Sequence, residues 1–145
     1  MNLRHKLQQG FTLIEIMVVV VIIGILAAIV VQRVVGRPEQ ARIVRAQQDI
    51  ASIDNAMDLY KLDNGNYPTT DQGIQALVVQ PTSDPIPQNW HQYLKQMPVD
   101  PWGHPYQYLN PGVHGDIDIF TYGSTGQPST DGKNTEIGNW NLNHP

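Results

Sequence analysis

Cysteine is absent from the 145 residues, which excludes a disulfide framework, a thiolate metal site and a cysteine nucleophile. The absence does not by itself place the chain in a reducing compartment. Basic residues are scarce after the first third. From Asp49 onward only Lys61, Lys95 and Lys133 stand against eleven acids, which are the 13 of the whole chain less Glu15 and Glu39. The formal net charge is −4, and no basic face of the kind that nucleic-acid binding needs can be assembled. Enzyme signatures are missing too: there is no G-x-S-x-G, no P-loop and no G-x-G-x-x-G. The histidines (His5, His91, His104, His114, His144) are scattered with no H-x-x-x-H pair, so surface solvation or turn packing is their expected role. No internal repeat is visible.

What is present in quantity is uninterrupted apolar sequence. Ile16 to Val31 is sixteen residues without a polar side chain. Alone it is short of the ~20 residues a membrane span needs; the five residues from Phe11 to Glu15 extend it far enough. Arg4 and Lys6 precede the run and favour a cytoplasmic N-terminus. A secretory signal peptide would place small residues just after the run, but Ala27-Ala28-Ile29 is a poor match and the apolar run continues past it. A helical pattern follows instead. Ile43, Ile50, Ile53, Met57 and Tyr60 step by seven, three, four and three, which puts them on one helix face. The pattern predicts one helix from about Phe11 to Leu62, disturbed near residues 32 to 38, where Gly36 and Pro38 lie.

Asp63-Asn64-Gly65-Asn66 ends that helix with turn residues. Thr70 or Asp71 is expected to cap a short helix running to Val79. Pro81, Pro85 and Pro87 mark a loop, and Asp100-Pro101-Trp102-Gly103 reads as a tight turn. Tyr106 to Leu109 is an expected strand. Asp116 to Tyr122 alternates like a half-buried strand. Gly123 to Gly138 reads as an irregular loop. The fold class is α+β: a long N-terminal transmembrane helix packed on a small head with an antiparallel sheet and an irregular C-terminal loop.

Glu15 is the odd residue of the N-terminal segment, a carboxylate at the edge of hydrocarbon. Such an acid is costly and by default functional, with a partner to be named; the alternative is a carboxyl in the headgroup region, or one that stays protonated. Gly10-Phe11-Thr12-Leu13-Ile14-Glu15, followed by Ile16-Met17-Val18-Val19-Val20, resembles the class III signal of type IV pilins and type II secretion pseudopilins. The resemblance implies that a membrane peptidase cuts between Gly10 and Phe11, that Phe11 becomes an N-methylated terminus, and that Glu15 serves assembly. The physics agrees. Cleavage creates a cationic amine where a neighbour's buried carboxylate can pair with it, and breaking a buried pair costs ~3–5 kcal/mol.

Head segments resemble the major pseudopilins of type II secretion more closely than type IV pilins. They are Tyr60 to Pro68, Thr70 to Leu77, Pro98 to Tyr106 and Glu136 to Trp140. Trp102, Tyr106, Tyr108 and Trp140 are expected to be packing residues. In this family the last loop binds Ca2+ through backbone carbonyls and Asp side chains. Here Thr125, Gly132 and Asn134 stand where the family pattern has Asp, and Lys133 adds positive charge. Hard-cation affinity follows carboxylate number, so the resemblance implies a weakened Ca2+ site built from Tyr122, Thr125, Asp131 and Asn134. A metal-free loop tied by hydrogen bonds is the alternative. Gln32 is a second departure, since related sequences often have Pro there.

The implied organisation is a leader over residues 1–10, a transmembrane and filament-core helix over 11–35, and a periplasmic head over 36–145. The implied role is that of a major pseudopilin, an inner-membrane single-pass subunit that polymerises into the pseudopilus and drives export of folded proteins. Its implied partners are further copies of itself, minor pseudopilins, the prepilin peptidase and the inner-membrane secretion platform. A type IV pilin, or a membrane-anchored exported binding module, is the competing reading.

Overall fold

The computed structural model describes residues 10–34, 37–130 and 136–142. The chain divides into two compact units, 1–39 and 40–145. In the first, helix α1 spans Leu13–Val34. Its side chains are described as far as Ala28, and all of them are exposed within the chain. A helix apolar all round requires cover from lipid or from other protein. Among the described residues no helix is long and apolar enough to cross a membrane.

Helix α2 spans Arg37–Asn64, 28 residues. The single helix expected from the sequence is therefore assigned as two spans. Residues 35 and 36 between them, Gly36 included, lie outside the described residues. Pro38 is the second residue of α2 as described, in a first turn whose N–H groups have no partner within that span. The helix ends where turn residues begin. Gly65 adopts φ 85°, and its N–H closes on the Lys61 carbonyl at 2.7 Å, a left-handed C-terminal cap that suits glycine.

In the second unit one face of α2 carries the core. Ala46, Ile50, Ile53, Met57 and Tyr60 are at most 1 % exposed, as the helical period requires; Ile43 is only half-buried. Against this face pack Ile74, Ala76 and Leu77, with Tyr108 and Ile119 from the sheet and Tyr106 and Ile117 just before its first two strands. The sheet is antiparallel, in the order β1 (Gln107–Leu109), β2 (Asp118–Thr121) and β3 (Ile137–Gly138). Tyr108 lies opposite Ile119, and Phe120 opposite both Gln107 and Gly138.

Three local expectations need correction. The short helix after α2 is a 3-10 turn, Ile74–Leu77, with no side-chain cap of its own. The capping geometry lies one residue earlier than expected: the Thr69 N–H donates to Gln72 Oε1 at 3.1 Å and the Gln72 N–H to Thr69 Oγ1 at 3.2 Å, a reciprocal pair. Strand β2 is buried at all four positions instead of alternating. Residues 137 and 138, read as loop, form β3, which is too short to show a period.

Candidate functional site

The N-terminal segment is built from one cap. Thr12 precedes the first residue of α1 and Glu15 lies in the first turn. The Thr12 N–H donates to Glu15 Oε2 at 2.9 Å, the Thr12 hydroxyl donates to the same oxygen at 3.2 Å, and the Glu15 N–H reaches Thr12 Oγ1 at 3.4 Å. This is a capping box, in which Thr and Glu three apart satisfy each other's backbone donors at a helix start. The cap holds the carboxylate one residue from the Phe11 nitrogen. Phe11 is 84 % exposed, and among the described residues nothing stands within 4 Å of where a Gly10 side chain would begin. The Gly10–Phe11 peptide bond is thus ahead of the helix and open to approach. Thr12 is the residue that sequence reasoning missed here, although Thr-x-x-Glu before an apolar run is a readable signal.

The C-terminal loop is the second candidate. Tyr122 precedes a 3-10 turn, Gly123–Thr125, and Gly126 follows it with φ 64°. The Thr125 hydroxyl lies 3.3 Å from the Tyr122 carbonyl oxygen and 3.0 Å from that of Gln127. Gly123 donates to Thr121 Oγ1 at 3.1 Å, and Gly126 donates to the Gly123 carbonyl at 3.2 Å. A side chain at Gly126 would begin 2.6 Å from Nε2 of His104, so the loop backbone lies against that ring. Asp131 and Asn134 lie outside the described residues. From Tyr122 to Thr130 the loop contains no carboxylate. Its donors near Thr125 are two carbonyls and one hydroxyl, all neutral, a set that fits a hard dication poorly.

The turn beneath this loop is organised by Asp100. Asp100 Oδ1 accepts from the Trp102 N–H at 3.0 Å and the His104 N–H at 2.8 Å, while Oδ2 accepts from the Thr121 hydroxyl. The expected tight turn at 100–103 is therefore also a buried polar joint to β2. A second buried acid, Asp118, accepts from the Val113 and His114 N–H groups at 2.8 and 3.2 Å and pairs with His114 Nδ1 at 2.9 Å. Burial pushes its carboxyl up, but these hydrogen bonds outweigh burial and hold it below the ordinary carboxylate value. The His114 ring stacks on Trp140 at 3.8 Å. Of the four aromatics expected to be core, Tyr106 and Tyr108 are buried; Trp102 and Trp140 are half-buried. Among the described residues no group of three or more His, Asp or Glu is placed to hold a metal ion.

The family model for type II secretion system (T2SS), protein G matches residues 33–140, and that for the prokaryotic N-terminal methylation motif matches residues 5–31. Type II secretion system core protein G of Pseudomonas aeruginosa is 54 % identical over 140 residues, covering 95 % of this chain and 99 % of the relative. The protein of the same name from Vibrio cholerae is 54 % identical, covering 96 % of each. The crystal structure of the major pseudopilin from the type 2 secretion system of enterohaemorrhagic Escherichia coli superposes with a TM-score of 0.66 at 44 % identity. It covers 74 % of this chain and 93 % of that one.

Proposed function

Because the chain belongs to the type II secretion system protein G family, we propose that its N-terminal cap is the processing and assembly site of a pseudopilus subunit. The chain is a major pseudopilin, a structural subunit that polymerises within the secretion machinery, and not an enzyme. In this reading residues 1–10 are a leader removed between Gly10 and Phe11, and Phe11 is then N-methylated. Residues 11–35 form the membrane and filament-core helix, and residues 36–145 a head on the periplasmic side of the inner membrane. The partners are further copies, minor pseudopilins, the peptidase and the inner-membrane platform.

One observation carries the reading: Glu15 Oε2 is held 2.9 Å from the Thr12 nitrogen at the start of an apolar helix. The cap fixes the carboxylate at the level of the amine that cleavage exposes. A neighbouring subunit's Phe11 amine then meets a charge whose position is already set, which lowers the entropy cost of pairing. The bare apolar surface of α1 supplies the area that neighbouring helices or lipid would cover.

Two substitutions separate the cap from the charge. Glu15→Gln retains the capping geometry, since Gln serves at that position, but removes the charge. Thr12→Val removes the cap hydroxyl and keeps the charge, at ~0.5–2 kcal/mol of helix stability. Quantified by electron microscopy, Glu15→Gln is expected to lower filament yield more than about tenfold, because a buried charge pair is broken, while cleavage continues. Thr12→Val is expected to lower it less. Full filament yield from Glu15→Gln would sink the assembly role.

A further inference from the structure

We propose that the loop over residues 122–127 is closed by the Thr125 hydroxyl in place of a cation, so that the head of this pseudopilin folds without calcium. The carbonyl oxygens of Tyr122 and Gln127 converge on Thr125 Oγ1 at 3.3 and 3.0 Å. Two carbonyls directed at one point repel each other unless something positive lies between them. A bound cation does this in metal loops; here the hydroxyl proton does it. The neighbouring stitches are of the same neutral kind, from the Gly123 N–H to Thr121 Oγ1 and from the Gly126 N–H to the Gly123 carbonyl. Thr121 is itself bonded to the buried Asp100, so the chain of hydrogen bonds runs from the loop into the head.

A dication entering this site would have to displace the hydroxyl proton from both carbonyls. It would gain no anionic ligand from residues 122–130, which contain neither Asp nor Glu, and the implied set keeps a single carboxylate, Asp131, with Lys133 two residues from it. Six to eight oxygens at about 2.3–2.6 Å are the usual calcium shell, and affinity rises with the number of carboxylates among them. Replacing a carboxylate by a hydroxyl donor thus exchanges a metal-closed loop for a hydrogen-bond-closed one. Closure then no longer depends on extracytoplasmic calcium.

The test is thermal melting of the full-length chain in detergent, in chelator and in millimolar calcium. The unaltered protein is expected to melt at the same temperature in both. Thr125→Val is expected to melt roughly 2–8 °C lower in both, and Thr125→Ser, which keeps the donor, close to the unaltered chain. Thr125→Asp places an anion against two carbonyls. It is expected to melt lower in chelator and to regain stability in calcium, because a ligand that binds only the folded state must raise its melting temperature. A saturable rise of the unaltered protein's melting temperature with calcium would overturn the proposal. So would Thr125→Val melting unchanged, or Thr125→Asp melting unchanged in chelator. If Thr125→Val does not fold, calcium titration calorimetry on the unaltered chain decides: no binding heat supports the proposal, and saturable binding contradicts it. None of these readouts depends on cleavage or filament growth, so they can fail independently of the assembly role.

Discussion

Glu15 has one observed purpose and one proposed. It completes the cap of α1 through Thr12, and in the proposed filament it faces a neighbour's terminal amine. Its chemical oddness is visible in the string, because a charge beside sixteen apolar residues needs a reason. The capping role is just as local and is carried by the Thr-x-x-Glu spacing, which in a span next to hydrocarbon coincides with the position that a functional acid would also take. Gly10 gives a simple residue-scale prediction. With none of the described residues near it, Gly10→Val is expected to leave folding stability unchanged, so slower processing would isolate close reading of the site by the peptidase. The expected outcome is accumulation of the uncut form on a gel. Asp118 gives another. Its folded pKa lies below its unfolded value near 3.9. Its contribution is therefore full above that value and lost as pH falls through the folded one. Acid melts of Asp118→Asn should show a shallower loss of stability below about pH 4 than the unaltered chain. Equal slopes would mean that Asp118 does not couple folding to protons.

Among the elements, α2 was the most legible because its apolar residues repeat at helical spacing over many turns and all face one core. The face was right at Ile50, Ile53, Met57 and Tyr60. Ile53→Ala is expected to cost about 2–5 kcal/mol, read as a lowered denaturant midpoint. Strand β2 was misread for a physical reason: alternation assigns Asp118 to solvent, but the 112–114 loop turns back and aims its N–H groups at that carboxylate. Strand β3 has two residues and no pattern to read. The end of α2 is fastened by two phenols. Tyr67 donates to Asp58 at 2.7 Å and Tyr93 to Asp63 at 2.8 Å. Burial first, then these carboxylate acceptors, push both tyrosines up to about 12. Stability from these protonated phenols is full below the ordinary value of about 10 and is lost as pH rises through about 12. Absorbance titration should show two tyrosines ionising near pH 12, and Asp58→Asn should bring one of them down part of the way. Both ionising at the ordinary value would contradict the two fastenings.

At the scale of the whole molecule, one chain carries an apolar helix with every described side chain uncovered and a head with its own core. The head is held by packing and by buried polar joints at Asp100 and Asp118 rather than by cysteine or, in the proposal above, by metal. That division of labour suits the proposed filament subunit, in which neighbouring helices would cover α1. Helix and head were both legible from hydropathy and spacing. The C-terminal loop was not, because its closure depends on which atoms converge on Thr125. In the proposed function processing precedes polymerisation, and mass spectrometry of the N-terminal peptide from membrane-extracted protein tests it most directly. The expected result is a peptide beginning at Phe11 and heavier by one methyl group, which disappears in cells lacking the peptidase. A mature chain beginning at Met1, or at any residue after Val31, would contradict the pseudopilin reading of the N-terminus.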